Sequence, residues 1–368
     1  MSALPTEIIA EILSKLPVKS LLRFLCVCKS WKSLIKSPTF VKIHLNQTLI
    51  CNSDRHLLLS YYSLHSAELD LHHNRLSFSE LNHPLNPLKG VRLVGSCNGV
   101  LCISDNSFND IILYNPLTKS HRKLPSNQFP SPKLHMNVFG FGYDGKTDDY
   151  KVLKMVQGFE ENFNSEAQVY SLNNNSWKSV QCIKGIPFFL YYADCSDVIV
   201  NEALHYLVTK EFESWQCTLI SSFNLRTESF SLIKSPDYDE KYNSLVLDVA
   251  ELDGCLCLMV NYNKTSNCVH TLEIFERADL WVMKEYGDEE SWMKLCSIRQ
   301  LESISGCIQL RPVVYSKDGR RILLEINNCK FGWYDLESET VEIFAAHGLP
   351  NRPFETSFFM GSLISFEE

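Results

Sequence analysis

Over the first forty-odd residues, apolar positions recur at helical spacing. Ile8, Ile9, Ile12, Leu13 and Leu16 form one broad stripe, Leu21, Leu22, Leu25 and Cys28 a second, and Trp31, Leu34 and Ile35 a third. Pro5 suits a first helical turn, where its missing N–H is no loss, and Glu7 complements the dipole there. Pro17 ends the first helix, because proline disfavours α geometry in the residue before it. Ser37-Pro38 reads as the cap and first turn of one more short helix through Phe40 and Ile43. Residues 46–56 are polar and read as a linker.

Beyond residue 56 the helical period disappears. Short runs rich in Val, Ile, Leu, Tyr and Phe alternate with Asn, Asp, Gly and Ser clusters, the pattern of strands and tight turns. Such a succession argues for a sandwich, a barrel or a propeller. Internal repetition chooses the propeller. An apolar run followed by a polar turn recurs at Tyr114-Asn115, Tyr170-Ser171, Phe223-Asn224 and Tyr334-Asp335, with Leu280–Met283 filling the one gap of double length. A second unit precedes it at Asn98–Cys102, Glu202–Tyr206 and Asp253–Cys257, and a third follows at Ser176–Val180 and Ser291–Leu295. Each period of about 55 residues thus holds about four strands, one blade. Six blades are expected, with five or seven as the alternatives. The first segment, Leu57 to Phe78, is short of strands, and the last apolar run, Phe358 to Ile364, is left without a blade. The two are expected to complete one blade together and so remove exposed edges.

Three or four short helices cannot bury this many apolar side chains among themselves. They need an outside partner or the body of their own chain, and spacing alone does not choose. The Leu4-Pro5 opening, the Leu16–Leu21 corner and the Cys28–Trp31 stretch together resemble the F-box. That resemblance implies a three-helix unit that binds the SKP-type adaptor of a cullin-RING ubiquitin ligase. The residues expected to make the contact are Leu4, Pro5, Ile8, Ile9, Leu13, Leu16, Pro17, Val18, Leu21, Leu22 and Trp31.

Charge supports an acidic protein partner. Residues 1–50 hold seven basic residues against Glu7 and Glu11, a net of +5, whereas the remainder carries a net of −13. The lysines are spread around the helices and no nucleic-acid readout motif accompanies them. No apolar run reaches the ~18 residues of a membrane span and no signal peptide is expected, which points to cytoplasm or nucleus. The 14 cysteines are scattered without a C-x-x-C, so most are expected to be small buried apolar residues.

The body also has a recognisable pattern. Gly95–Val100, Asn115–Thr118, Gly140–Asp144, Asp149–Val152, Leu252–Leu258, Trp281–Tyr286 and Tyr315–Asp318 resemble the F-box-associated domain of plant F-box proteins, most of all the "constitutive expresser of pathogenesis-related genes" type, with S-locus F-box proteins more distant. There is no Trp-Asp dipeptide and no Gly-Gly doublet, so the blades should be irregular.

Some motifs suggest chemistry and have blander readings. Gly140, Gly142 and Gly145 make a literal G-x-G-x-x-G, but a polar turn and a strand follow where a dinucleotide site needs a helix. Gly95–Gly99 mimics a nucleophile elbow around Cys97, yet the chain continues as strand. His65, His72, His73 and His83 fit no zinc frame. Cys255 and Cys257 place two thiols on one strand face, and Trp177, Trp215, Trp281, Trp292 and Trp333 read as mostly blade core. No metal, cofactor or catalytic residue is therefore expected.

The expected chain is α+β in two domains. Residues 1–45 are the F-box, 46–56 the linker and 57–368 an all-β irregular propeller of six blades. The reading is a substrate receptor of an SKP–cullin–F-box ligase, partnered by the adaptor and through it by cullin and RING subunits. The resemblance directs the target guess to plant immune receptors. The alternatives are a hydrolase using the propeller and an F-box scaffold outside any ligase.

Overall fold

In the computed structural model the described residues are 4–69, 76–126, 135–158, 165–182, 188–189, 195–196, 198–209, 219–239, 242, 244–265, 273–300 and 302–366. They form two bodies. The first holds the described residues up to Ser126 together with those from Ser357 onward, and the second holds those from His135 to Thr356.

The first body begins with four helices, α1 (Thr6–Ser14), α2 (Val18–Phe24), α3 (Lys29–Ile35) and α4 (Pro38–Cys51). Pro5 and Pro17 sit just ahead of α1 and α2, as their fixed φ favours. Ser37 caps α4 by accepting from the Phe40 N–H at 3.2 Å, and Asn52 closes it in the left-handed conformation at φ 47°. The linker expected over residues 46–56 is not there. α4 runs through Cys51, and the first strand starts at Arg55.

Two sheets complete this body. In the first, Glu355–Met360 pairs with Arg55–Tyr61, followed by Ser63–Glu68 and Ser79–Glu80. The last strand of the chain thus closes the first blade, as the unmatched apolar runs implied. The second sheet is a meander of Arg92–Cys97, Val100–Ser104, Ile111–Tyr114 and His121–Lys123. Its first turn takes Asn98 and Gly99 at φ 53° and 77°, the pair of positive values a two-residue hairpin needs. The Cys97 "elbow" is this turn.

The second body holds four more sheets. They are built on His135–Asp144 to Ser176–Val180, Ala203–Thr209 to Ser229–Lys234, Ser244–Leu252 to Trp292–Arg299 and Leu310–Tyr315 to Thr340–Phe344. With the two above, the sheets of four or more strands number six among the described residues, beside one sheet of two short strands, and the fold is a short helical head followed by an all-β six-blade propeller. The repeated polar turn is an Asx turn in three places. Asn115 Oδ1 accepts from Leu117 and Thr118 N–H, Asn224 Oδ1 from Arg226 and Thr227 N–H, and Asp335 Oδ1 from Glu337 and Ser338 N–H.

The G-x-G-x-x-G is strand and hairpin. Asp144 pairs with Asp149, and Gly140 and Gly142 lie on the strand where a Cβ would strike Tyr206 Oη at 2.2 Å and Leu225 Cδ1 at 2.5 Å. These glycines let the neighbouring sheet approach closely. Of the tryptophans, Trp333 is buried, while Trp177, Trp281 and Trp292 are half-buried and Trp215 lies outside the described residues. The expectation that most cysteines are buried fails: of the eleven whose exposure is described only Cys102, Cys257 and Cys307 are buried, and there burial pushes the thiols up, for Cys307 to about 12.

Candidate adaptor-binding head

The head's core is made by Leu13, Val18, Leu21, Ile35 and Phe40, and it is completed by Leu363 from the far end of the chain, with Leu117 packed alongside. The F-box resemblance put Leu13, Val18 and Leu21 among the contact residues. The structure buries all three in this core, Leu21 at 0% exposure. Leu4, Pro5, Ile8 and Pro17 are exposed, and Ile9, Leu16, Leu22 and Trp31 are half-buried. Trp31 leans on Phe24 with ring centroids 5.4 Å apart. Sequence reasoning passed over Ile12 and Val27, both exposed on the head. Ile12 was visible as the i+4 neighbour of Ile8 in the same stripe.

Polar bonds fasten the head to the first blade. Asp54, just ahead of the first strand, accepts the Val18 N–H with Oδ2 at 3.0 Å, and its Oδ1 stands 3.3 Å from His56 Nε2. Its carbonyl accepts the Gly361 N–H at 2.8 Å. Burial works to raise the Asp54 carboxyl. The bonds from His56 and Val18 and the nearby His56 and His44 charges outweigh it and hold the carboxyl below its ordinary value. A Cβ on Gly361 would lie 1.9 Å from Asp54 Oδ2, so only glycine fits this crossing. His44, buried on α4, donates from Nε2 to the Leu16 carbonyl at 2.9 Å and so ties α4 to the α1–α2 corner. Asn115 donates to the Ser362 and Ile364 carbonyls at 3.0 and 2.8 Å, which pins the C-terminal run that carries Leu363.

The arrangement offers a fixed apolar surface on a basic scaffold. Among the described residues no group of His, Cys, Asp and Glu could hold a metal ion, and His72 and His73 lie outside them. Among the described helices none is long and apolar enough to cross a membrane.

Residues 1–43 match the F-box domain, and residues 55–329 match the F-box associated beta propeller domain. The chain belongs to the F-box proteins that carry this propeller. Among its relatives, F-box protein CPR1 of Arabidopsis thaliana is 31% identical, over 99% of this chain and 89% of that one. The Arabidopsis F-box/kelch-repeat protein At3g23880 is 32% identical over 88% of this chain and 86% of its own length. Among solved structures, an α-L-arabinofuranosidase from Lactobacillus brevis aligns over 71% of this chain and 91% of its own at 12% identity and a TM-score of 0.34, a likeness too slight to bear on activity. An F-box domain implies an SKP-type adaptor as partner, and F-box proteins are in general non-catalytic.

Proposed function

We propose that this chain is the substrate-recognition subunit of an SKP–cullin–F-box ubiquitin ligase. The observation that carries the reading is the F-box itself, held by Asp54 and Leu363 against the first blade while Leu4, Pro5, Ile8 and Ile12 stay exposed. A receptor that presents a target to a ubiquitin-charged enzyme works by holding two reactants in reach, and a stiff joint between head and blade serves that task. The propeller takes the target, ubiquitination leads to its degradation, and the setting is cytoplasm or nucleus. The resemblance to the constitutive-expresser type makes plant immune receptors the first targets to search.

The clean test leaves the chain at full length, because deleting the head would uncover Leu363. Ile8 is exposed, so Ile8→Asp should keep the thermal unfolding of the parent. It should lose the adaptor in pull-down, since an unpaired carboxylate in that interface costs several kcal/mol. Proteins captured by the parent after proteasome inhibition should also be captured by Ile8→Asp. In cells the parent should lower their level, and the variant should raise it by shielding them. Equal lowering by both chains would sink the receptor reading in favour of a hydrolase.

A further inference from the structure

α4 has a buried face and an exposed apolar one. Phe40, His44 and Thr48 are buried against the head at four-residue spacing. On the outside, Ile43 is 46% exposed and Ile50 is 81% exposed, with Leu49 beside it, also exposed. Ile43 and Ile50 stand two turns apart on one side of the helix, about 10 Å along its axis. Large apolar side chains left exposed in a row on a helix that is already seated on its other side mark a surface for a partner.

Size argues for the same conclusion. A stable protein interface takes about 800 Å² from each partner, some 20–30 residues a side. Leu4, Pro5, Ile8 and Ile12 cannot fill that on their own. α4 packs against both α1 and α3. Its outer strip therefore belongs to the same small helical unit as the α1 strip, and adds exposed apolar side chains past residue 43, where the F-box match ends. Charge selects the occupant. The unit has a net of +5 over residues 1–50, with Lys29, Lys32 and Lys36 of α3 and Lys42 of α4 exposed. A second head would be repelled, and an acidic protein with an apolar ridge would be attracted.

We propose that the outer face of α4 is part of the adaptor-binding surface, with Ile43, Leu49 and Ile50 receiving an apolar ridge of the acidic SKP-type adaptor. The inference rests on the receptor reading, and the test separates the two. Binding of purified SKP-type adaptor to the full-length chain is measured for the parent, Ile8→Asp, Ile43→Asp, Ile50→Asp and the uncharged Ile50→Gln. Ile43→Asp and Ile50→Asp should each weaken binding tenfold or more, and Ile50→Gln by a smaller factor. All should unfold at the parent's temperature, because the positions are exposed, and the parent's affinity should fall as salt is raised. Parent-like binding by both α4 Asp variants, with Ile8→Asp inactive, overturns the α4 inference and leaves the receptor reading standing. Parent-like binding by Ile8→Asp as well overturns both. If Ile50→Asp alters only the oligomeric state of the chain alone, a second copy covers the strip and the inference fails.

Discussion

The helical head and the fifth and sixth blades solve the same problem in opposite ways. The two blades share a core of their own, in which Cys257, Met259, Leu280, Leu310, Ile322 and Leu324 are wholly buried among many like neighbours. The head reaches the same burial at only a few positions and needs Leu363 to do so. It then leaves Leu4, Ile8, Ile12, Val27, Ile43 and Ile50 open. A region that buries its own core leaves little apolar surface uncovered. A region that borrows part of its core and leaves apolar strips uncovered is built for association.

The comparison is broken most severely at the borrowed piece. Removing residues 358–368 takes away the second half of the Glu355–Met360 strand of the first blade, the Gly361–Asp54 bond and Leu363 together. Aggregation is expected, seen as loss of the monomer peak in size-exclusion chromatography. A smaller but still disabling effect is expected of Leu21→Asp, which places a carboxylate in the head's interior. The head should melt, and limited proteolysis should cut within residues 6–51 while the second body stays resistant. Next comes Asp54→Ala, which leaves the buried Val18 N–H without its acceptor and should cost about 1–3 kcal/mol, read by chemical denaturation. Because the folded Asp54 carboxyl lies below its unfolded value, its contribution is present above the unfolded value and is lost as pH falls through the folded one. The parent, and not Asp54→Ala, should therefore lose this increment in acid.

The blades offer the mildest and opposite case. Glu325 is buried across from Arg311 and near Asp248, and burial first of all pushes its carboxyl up to about 7, against the pull of the Arg311 charge. Burial likewise raises the Asp248 carboxyl. The folded state therefore holds a proton that the unfolded chain has released, and stability should fall as pH rises from about 4 to about 7. Glu325→Gln should flatten that slope and melt higher than the parent at pH 8.

Much of this was readable in the chain. The blades announce themselves because alternating strands and Asn-Gly or Asp-Gly turns are local signals, and Asn98-Gly99 and Asp253-Gly254 adopt the positive φ values their chemistry suits. Closure of the first blade was legible as two unmatched apolar runs. The length of α4 was hidden because its buried face carries His44 and Thr48. Each bonds inside the head, His44 through Nε2 to the Leu16 carbonyl and Thr48 to the His44 carbonyl at 3.0 Å, so the polar stretch looked like a linker. Which side of α1 faces inward was hidden for a similar reason. A wide apolar stripe shows that a helix packs on something, but Leu13 and Ile12, adjacent in sequence, turn one inward and one outward. The role of Asp54 depends on a residue 307 positions away, Gly361, and no local pattern carries that.

The dependence on Leu363 also has a consequence in time. A chain is made from its first residue, at roughly 5–20 residues per second, so the last piece of the head's core follows Leu13 by about 20–70 s. During that interval α1 to α4 exist without the side chain that completes them, and Asp54 waits for a glycine not yet synthesised. A message cut short, or a ribosome that stalls in the sixth blade, yields a head that is never fastened. The head is therefore fastened only once Gly361 and Leu363 have been made, and any fragment that stops short of them carries it loose.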